Sequence, residues 1–140
     1  MDQELRKLLA EIAQVQAEVM DKMADVSQEE LRFKTSNWRW NTARRVMLRF
    51  GDHVREHTTQ LVEDIGAAQT MPQRMLARAQ EAYGGLLGAV VGLQDEDLDK
   101  PPAEGEWTIR QILEHILQTQ SWYLQRIQEA LQSRELVDKD

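Results

Sequence analysis

Three histidines, His53, His57 and His115, are the residues of this 140-residue chain best suited to metal chemistry. His53 and His57 stand four positions apart in GDHVREHTTQL, which places both side chains on one face of a helix. His115 lies much later in the chain, in ILEHILQ. Two imidazoles from one helix and one from another can hold a divalent cation and leave a position open for water or substrate. The pattern predicts a three-histidine metal site, for zinc or nickel first and for iron or manganese as alternatives.

The sequence leaves other interpretations of these histidines open, because ordinary surface or hydrogen-bonded core histidines can share this spacing. Each histidine follows an acidic residue, and adjacent residues on a helix point about 100° apart, so these acids are poor chelating partners. Glu56 and Glu114 are still candidates for a general base beside a metal-bound water. Arg49 lies one turn before His53 and is a candidate for holding an anionic substrate bidentately.

The elements that must position these side chains are four amphipathic helices. Apolar residues recur at spacings of three and four over about residues 2–25, 42–65, 72–93 and 108–132. The stripe of the second helix includes His53 and His57, which predicts that both face the core. With four such segments and no strand pattern, we expect an all-α fold, a single four-helix bundle domain spanning residues 1–140.

Local residues indicate where the helices begin and end. Asn41 or Thr42 is expected to cap the second helix, and Gly66 to end it. Thr108 and Gln111 have the spacing of a capping box before the fourth helix.

Four glycines fall inside the apolar pattern of the third helix: Gly84, Gly85, Gly88 and Gly92. Each costs about 1 kcal/mol relative to alanine in a helix interior. We therefore expect another backbone to approach closely there, through packing within the bundle, a subunit interface or space for a ligand.

Composition excludes several classes of function. The formal net charge of −7 disfavours binding of nucleic acid, and the longest apolar run, Leu86 to Val91, is too short to span a membrane. The absence of cysteine excludes disulfides, thiolate metal ligands and cysteine nucleophiles. The first residues are charged and amphipathic, unlike a signal peptide, so a cytoplasmic location is expected.

Charge is strongly segregated along the chain. Residues 32–55 contain seven basic residues and one acidic residue, whereas residues 95–106 contain six acidic residues and one lysine. The basic stretch could bind an anionic substrate through Arg49. It could equally pair with the acidic stretch, either in the same bundle or across a homodimer.

The stretch GEWTIRQILEHILQTQSWYLQRI resembles the DinB-like family of bacterial helical bundles. The shared pattern comprises Trp107, Thr108, Ile109, Arg110, Ile112, Leu113, His115 and Ile116, with His53 and His57 matching the family's H-x-x-x-H pair. The resemblance implies an up-down-down-up bundle with a long crossover and a divalent metal held by three histidines. It also implies kinship with metal-dependent thiol transferases, with a mycothiol-using maleylpyruvate isomerase, and with hydrolase-like members.

The order of the histidines departs from the family's pattern. In the family the single histidine usually comes first and the H-x-x-x-H pair near the C-terminus, whereas here His53 and His57 precede His115. Ligand order in the chain does not fix geometry in space, but the reversal prevents any transfer of substrate specificity. Three functions therefore remain: an enzyme acting on a small-molecule or thiol substrate, a non-enzymatic metal-binding or stress-related bundle, and a dimeric interaction module.

Overall fold

Four α-helices make up most of the computed structural model, which describes residues 2–65 and 68–137. They are α1 (Gln3–Met23), α2 (Ala43–Ile65), α3 (Met71–Ala89) and α4 (Ile109–Ser133). Short 3-10 turns lie at Glu30–Arg32 and Asp95–Asp97. Within the described ranges no strand forms, and β-pairing is limited to an isolated antiparallel bridge between Lys34 and Thr42. The predicted all-α, four-helix fold class is confirmed, whereas the up-down-down-up order stays a prediction.

Polar caps fix where α2 and α4 begin. Thr108 Oγ1 accepts a hydrogen bond from Gln111 N at 3.2 Å, and Thr108 N donates to Gln111 Oε1 at 2.9 Å. This reciprocal pair is the predicted capping box. Thr42 Oγ1 accepts from Arg45 N at 3.3 Å, so Thr42 rather than Asn41 caps α2.

Helix α3 begins and ends slightly earlier than its apolar pattern predicts. Thr70 Oγ1 accepts from Gln73 N at 3.4 Å while Thr70 N donates to Gln73 Oε1 at 2.9 Å, a capping box that the sequence analysis missed. The helix ends at Ala89 rather than at residue 93. Gly92 has a φ of +87°, a conformation that glycine adopts without steric cost, so it lies in the turn after the helix.

Among the described residues, the structure shows no close approach of another backbone of this chain along α3, while a subunit interface or a ligand there stays a prediction. A Cβ atom built on Gly84, Gly85 or Gly88 would meet no other atom within 4 Å. These glycines therefore lower the intrinsic stability of the helix without any packing contact that requires them. The predicted helix end at Gly66 lies outside the described residues.

The chain divides into two units, Met1–Gly92 and Leu93–Asp140. In the N-terminal unit, α2 packs on the Glu30–Arg32 turn. An open groove of about 820 Å³ lies between α1 and α2, lined mainly by apolar side chains. The C-terminal unit contains the acidic segment and α4. The single-domain organisation over residues 1–140 stays a prediction.

The apolar stripes of the helices are exposed in these units. No described side chain is fully buried, and Leu8 on α1 and Val54 on α2 are 54% and 58% exposed. The predicted burial of His53 and His57 is therefore wrong for the N-terminal unit, where both side chains are exposed. Among the described helices, none combines the length and apolar character needed to cross a membrane.

Candidate metal centre

His53 and His57 converge on one point beside α2. Their spacing of four residues places them one helical turn apart, and their Nε2 atoms lie 3.2 Å from each other. The two rings meet edge to face, with centroids 4.6 Å apart and planes inclined by 79°. Both side chains are exposed on the helix surface. The sequence spacing therefore produces the convergent pair of nitrogens that it predicts.

Gln60 orients the imidazole of His57. The distance between His57 Nδ1 and Gln60 Oε1 is 3.1 Å, and an amide oxygen can only accept a hydrogen bond. In the tautomer that donates from Nδ1 to Gln60, a lone pair remains on Nε2, the atom that faces His53. Gln60 was not predicted from the sequence, although a glutamine three positions after a helical histidine is within reach of its ring.

Arg49 and Glu56 form a bidentate ion pair on the same helix. Arg49 Nη1 and Nη2 donate to Glu56 Oε1 and Oε2 at 2.8 and 3.0 Å. These hydrogen bonds hold the pKa of Glu56 below its ordinary value, with a smaller contribution from the charge of Arg49. Glu56 is therefore an ionised carboxylate beside the imidazole pair, and the two weak catalytic candidates of α2 are engaged with each other.

Trp40 holds the guanidinium of Arg49 from its other side. The Arg49 Cζ atom lies 5.1 Å from the centroid of the Trp40 ring, within cation–π range. The loop before α2 brings this ring back over the helix, which a linear pattern does not reveal. The guanidinium of Arg49 thus has an aromatic ring and a carboxylate as partners, so its donors are not free to bind a substrate.

His115 occupies a different environment near the start of α4. Its ring meets Trp107 edge to face, with centroids 5.0 Å apart and planes inclined by 75°. Trp107 lies immediately before Thr108, the residue that caps α4. The described contacts of Glu114, the third weak catalytic candidate, include electrostatic attraction to Arg110.

Within the described ranges, no group of three or more His, Cys, Asp or Glu side chains is gathered in a way that could hold a metal ion. The structure brings together His53 and His57 in the N-terminal unit, and His115 belongs to the C-terminal unit. Two imidazole nitrogens 3.2 Å apart are a suitable donor pair for zinc or nickel, which accept neutral imidazole. The three-histidine site stays a prediction.

Comparison with known protein families bears on the C-terminal part of the chain. Residues 78–140 match the family model of the DinB superfamily. This match, over a little less than half of the chain, supports a DinB-like assignment. The matched residues include α4 and His115 and exclude His53 and His57, so the DinB-like assignment does not depend on the histidine pair. No curated protein and no solved structure is similar enough to this chain to be matched.

Proposed function

We propose that this DinB-like chain binds a divalent metal ion, zinc or nickel first, through His53, His57 and His115. We further propose that it acts as a metal-dependent transferase or hydrolase on a small thiol or another small molecule. The observation that carries the proposal is the 3.2 Å separation of the two Nε2 atoms on α2. The match to the family model supports the third ligand, because His115 lies within the matched residues.

The separation of the two nitrogens suits a shared ion. Imidazole binds zinc at about 2.0–2.1 Å, so two ligands of one tetrahedral ion have nitrogens about 3.3–3.4 Å apart. The pair on α2, at 3.2 Å, is close to that spacing before any ion is added. Without an ion, the same distance is that of a hydrogen bond between the two Nε2 atoms, with the donor set by the tautomers of the rings.

The neighbouring side chains support such a site by fixing protons and charge. Gln60 keeps the proton of His57 on Nδ1 and so leaves Nε2 available to a cation. Glu56 is ionised, and its negative charge near the two imidazoles favours a cation there. Arg49 limits that effect, because its guanidinium neutralises the carboxylate by direct pairing.

A bound divalent ion would supply Lewis acidity and lower the pKa of a coordinated water or thiol. The chain contains no cysteine, so the thiol of a transfer reaction must belong to the substrate. Three imidazoles leave the ion a position for such a group.

A second function, a non-enzymatic metal-binding bundle, is favoured by one observation. Arg49 and Glu56 pair with each other rather than presenting a free anion-binding fork and a free base. A site without an unpaired acid or base beside it is suited to holding an ion. An ion whose coordination sphere is completed by protein ligands would support this alternative.

The proposal is tested by counting metal ions per chain. Untagged protein, purified without chelator and then reconstituted with zinc or nickel, is compared by elemental mass spectrometry with His53→Ala, His57→Ala and His115→Ala. Thr59→Ala is the matched control, because Thr59 lies on α2 and donates to Arg55 O rather than to an imidazole. Circular dichroism verifies that every variant keeps its helices.

We expect about one ion per chain in the wild type and in Thr59→Ala, and loss of the ion in all three histidine variants. A wild-type protein that binds neither metal would overturn the proposal. Full retention of the ion in His115→Ala would restrict the site to α2. Thiol-transfer and hydrolysis assays on loaded and metal-free protein then separate the enzyme from the structural alternative.

A further inference from the structure

The loop before α2 is a built structure rather than a loose connection. Residues 33–43, here called the basic hairpin, are closed at their ends by a hydrogen bond from Ala43 N to Phe33 O at 2.9 Å. Inside the turn, Asn37 Oδ1 accepts from two backbone N–H groups, at 2.9 and 2.8 Å. Because these bonds already fix the backbone, a partner that binds the hairpin loses little free energy in ordering it.

The tip of the basic hairpin exposes an aromatic ring. Trp38 is 87% exposed, whereas Trp40 is partly covered and lies under the guanidinium groups of Arg39 and Arg49, at 5.0 and 5.1 Å. The two tryptophans of one loop therefore have different surroundings. A large rigid side chain on a fixed backbone is the usual anchor of a protein interface.

The sequence on both sides of Trp38 is basic. Residues 31–51 contain six basic residues and no acidic residue, in a chain whose net charge is −7. Arg32, Lys34 and Arg44 are exposed and make no ion pair within the described ranges. The basic hairpin therefore presents an apolar anchor within positive charge that is not neutralised locally.

The chain also contains a surface of matching chemistry. Residues 94–106, here called the acidic segment, contain six acidic residues, one lysine and the apolar pair Pro101–Pro102. Asp97 and Asp99 are paired with Lys100 and Arg110 inside their own unit. The remaining acids of the segment have no ion pair in the described part of the chain: Asp95, Glu96, Glu104 and Glu106.

We propose that the basic hairpin of one copy of this chain docks on the acidic segment of a second copy. Trp38 would cover the apolar pair Pro101–Pro102, and the unpaired basic and acidic side chains would face each other around it. Each copy carries one hairpin and one acidic segment, so a two-fold dimer makes the same contact twice. The occupant is thus a second copy, and the contact does not depend on a metal ion.

The first test measures mass in solution by analytical ultracentrifugation of untagged protein with chelator present, at 50 and 500 mM salt. We expect a dimer at low salt whose dissociation constant rises at high salt, because exposed charge pairs are screened. Trp38→Ala is expected to raise that constant about tenfold or more, as loss of an interface anchor does. Trp122→Ala is the matched control, since Trp122 is a 54% exposed tryptophan on α4.

The second test exchanges charges between the two surfaces. One variant combines Arg39→Glu with Arg44→Glu, and the other combines Glu104→Arg with Glu106→Arg. Each variant alone is expected to be monomeric, because like charges then face each other in its dimer. An equal mixture of the two is expected to form a heterodimer, in which both contacts again join opposite charges.

A monomeric wild type at low salt would overturn the proposal, and would leave pairing within one chain or with another acidic protein. A dimer that survives in both charge-reversed variants, or a mixture that stays monomeric, would also overturn it. Because the chelator removes metal throughout, these outcomes are independent of those of the metal measurement. Circular dichroism of each variant separates loss of association from loss of folding.

Discussion

Helices α2 and α4 both carry candidate metal ligands, but the side chains around those ligands differ in kind. On α2, His57 contacts His53 through Nε2 and Gln60 through Nδ1, so both ring nitrogens have polar partners. On α4, the described contact of His115 is with the aromatic ring of Trp107. The pair on α2 is oriented by its own unit, whereas His115 is placed by an aromatic packing contact.

The residues of the family pattern around His115 have structural roles in the C-terminal unit. Arg110 forms a bidentate ion pair with Asp99, at 2.7 and 3.0 Å, and its backbone N–H donates to Leu98 O at 2.9 Å. Thr108 caps the helix. These contacts join the acidic segment to the start of α4. Most residues of a recognisable motif can thus maintain a local fold, while a single member of it, His115, is suited to binding a metal ion.

Removing a candidate ligand is expected to give the largest effect and tests whether α2 and α4 both contribute to the site. We expect His57→Ala to weaken zinc binding by more than the roughly 10–100-fold that loss of a ligand-supporting residue costs, since it removes one of the two convergent nitrogens. His115→Ala should have an effect of similar size if α4 completes the site. Competition with a chromogenic chelator measures both. A much smaller effect of His115→Ala would show that the pair on α2 acts alone.

Gln60 provides a sharper test of how α2 orients its ligand. Gln60→Ala is expected to lower zinc affinity by about 10–100-fold, because the ring of His57 loses the acceptor that fixes its tautomer. Nitrogen NMR of the metal-free protein should show the proton of His57 on Nδ1 in the wild type and on a mixture of nitrogens in the variant. Thr59→Ala is expected to change neither measurement, and an unchanged tautomer in Gln60→Ala would contradict the assignment.

Each unit contains a capping box whose contribution to the free energy of unfolding can be measured. Thr70→Ala in the N-terminal unit and Thr108→Ala in the C-terminal unit are each expected to destabilise by about 1 kcal/mol, the usual cost of losing a side-chain cap. Urea unfolding followed by circular dichroism measures this change. Ser133→Ala, at the last residue of α4, is a control that leaves both caps intact. Equal midpoints in the cap variants and the wild type would mean that these caps do not limit stability.

The smallest expected effect concerns how the ion pair between Asp99 and Arg110 changes stability with pH. Hydrogen bonds from Arg110 hold the pKa of Asp99 below its ordinary value of 3.8. A depressed pKa in the folded state gives a contribution that is complete above that ordinary value and is lost as pH falls through the folded-state pKa. Asp99→Asn should therefore be less stable than the wild type at pH 7, and its Tm should fall less steeply as pH is lowered. Both effects should be small because the ion pair is exposed. Parallel curves for variant and wild type would contradict this.

The sequence by itself determined the helices, since their signals are local. Apolar periodicity and the spacing of Thr108 and Gln111 act within a few residues, as helical hydrogen bonds do, and the structure confirms them. The convergence of His53 and His57 is equally local, because four residues make about one turn. The same reasoning overextended α3, since the apolar pattern continues past the point where the backbone at Gly92 turns to positive φ.

Only the tertiary structure decided which partners these side chains take. Arg49 was a candidate for binding an anionic substrate. In the structure, however, its guanidinium lies over the ring of Trp40 and forms an ion pair with Glu56. The ion pair between Asp99 and Arg110 likewise needs a turn that brings Asp99 back to the start of α4. Spacing fixes the face on which a residue lies, whereas pairing depends on rotamers and on competing neighbours brought in by the backbone, and these are settled only in three dimensions.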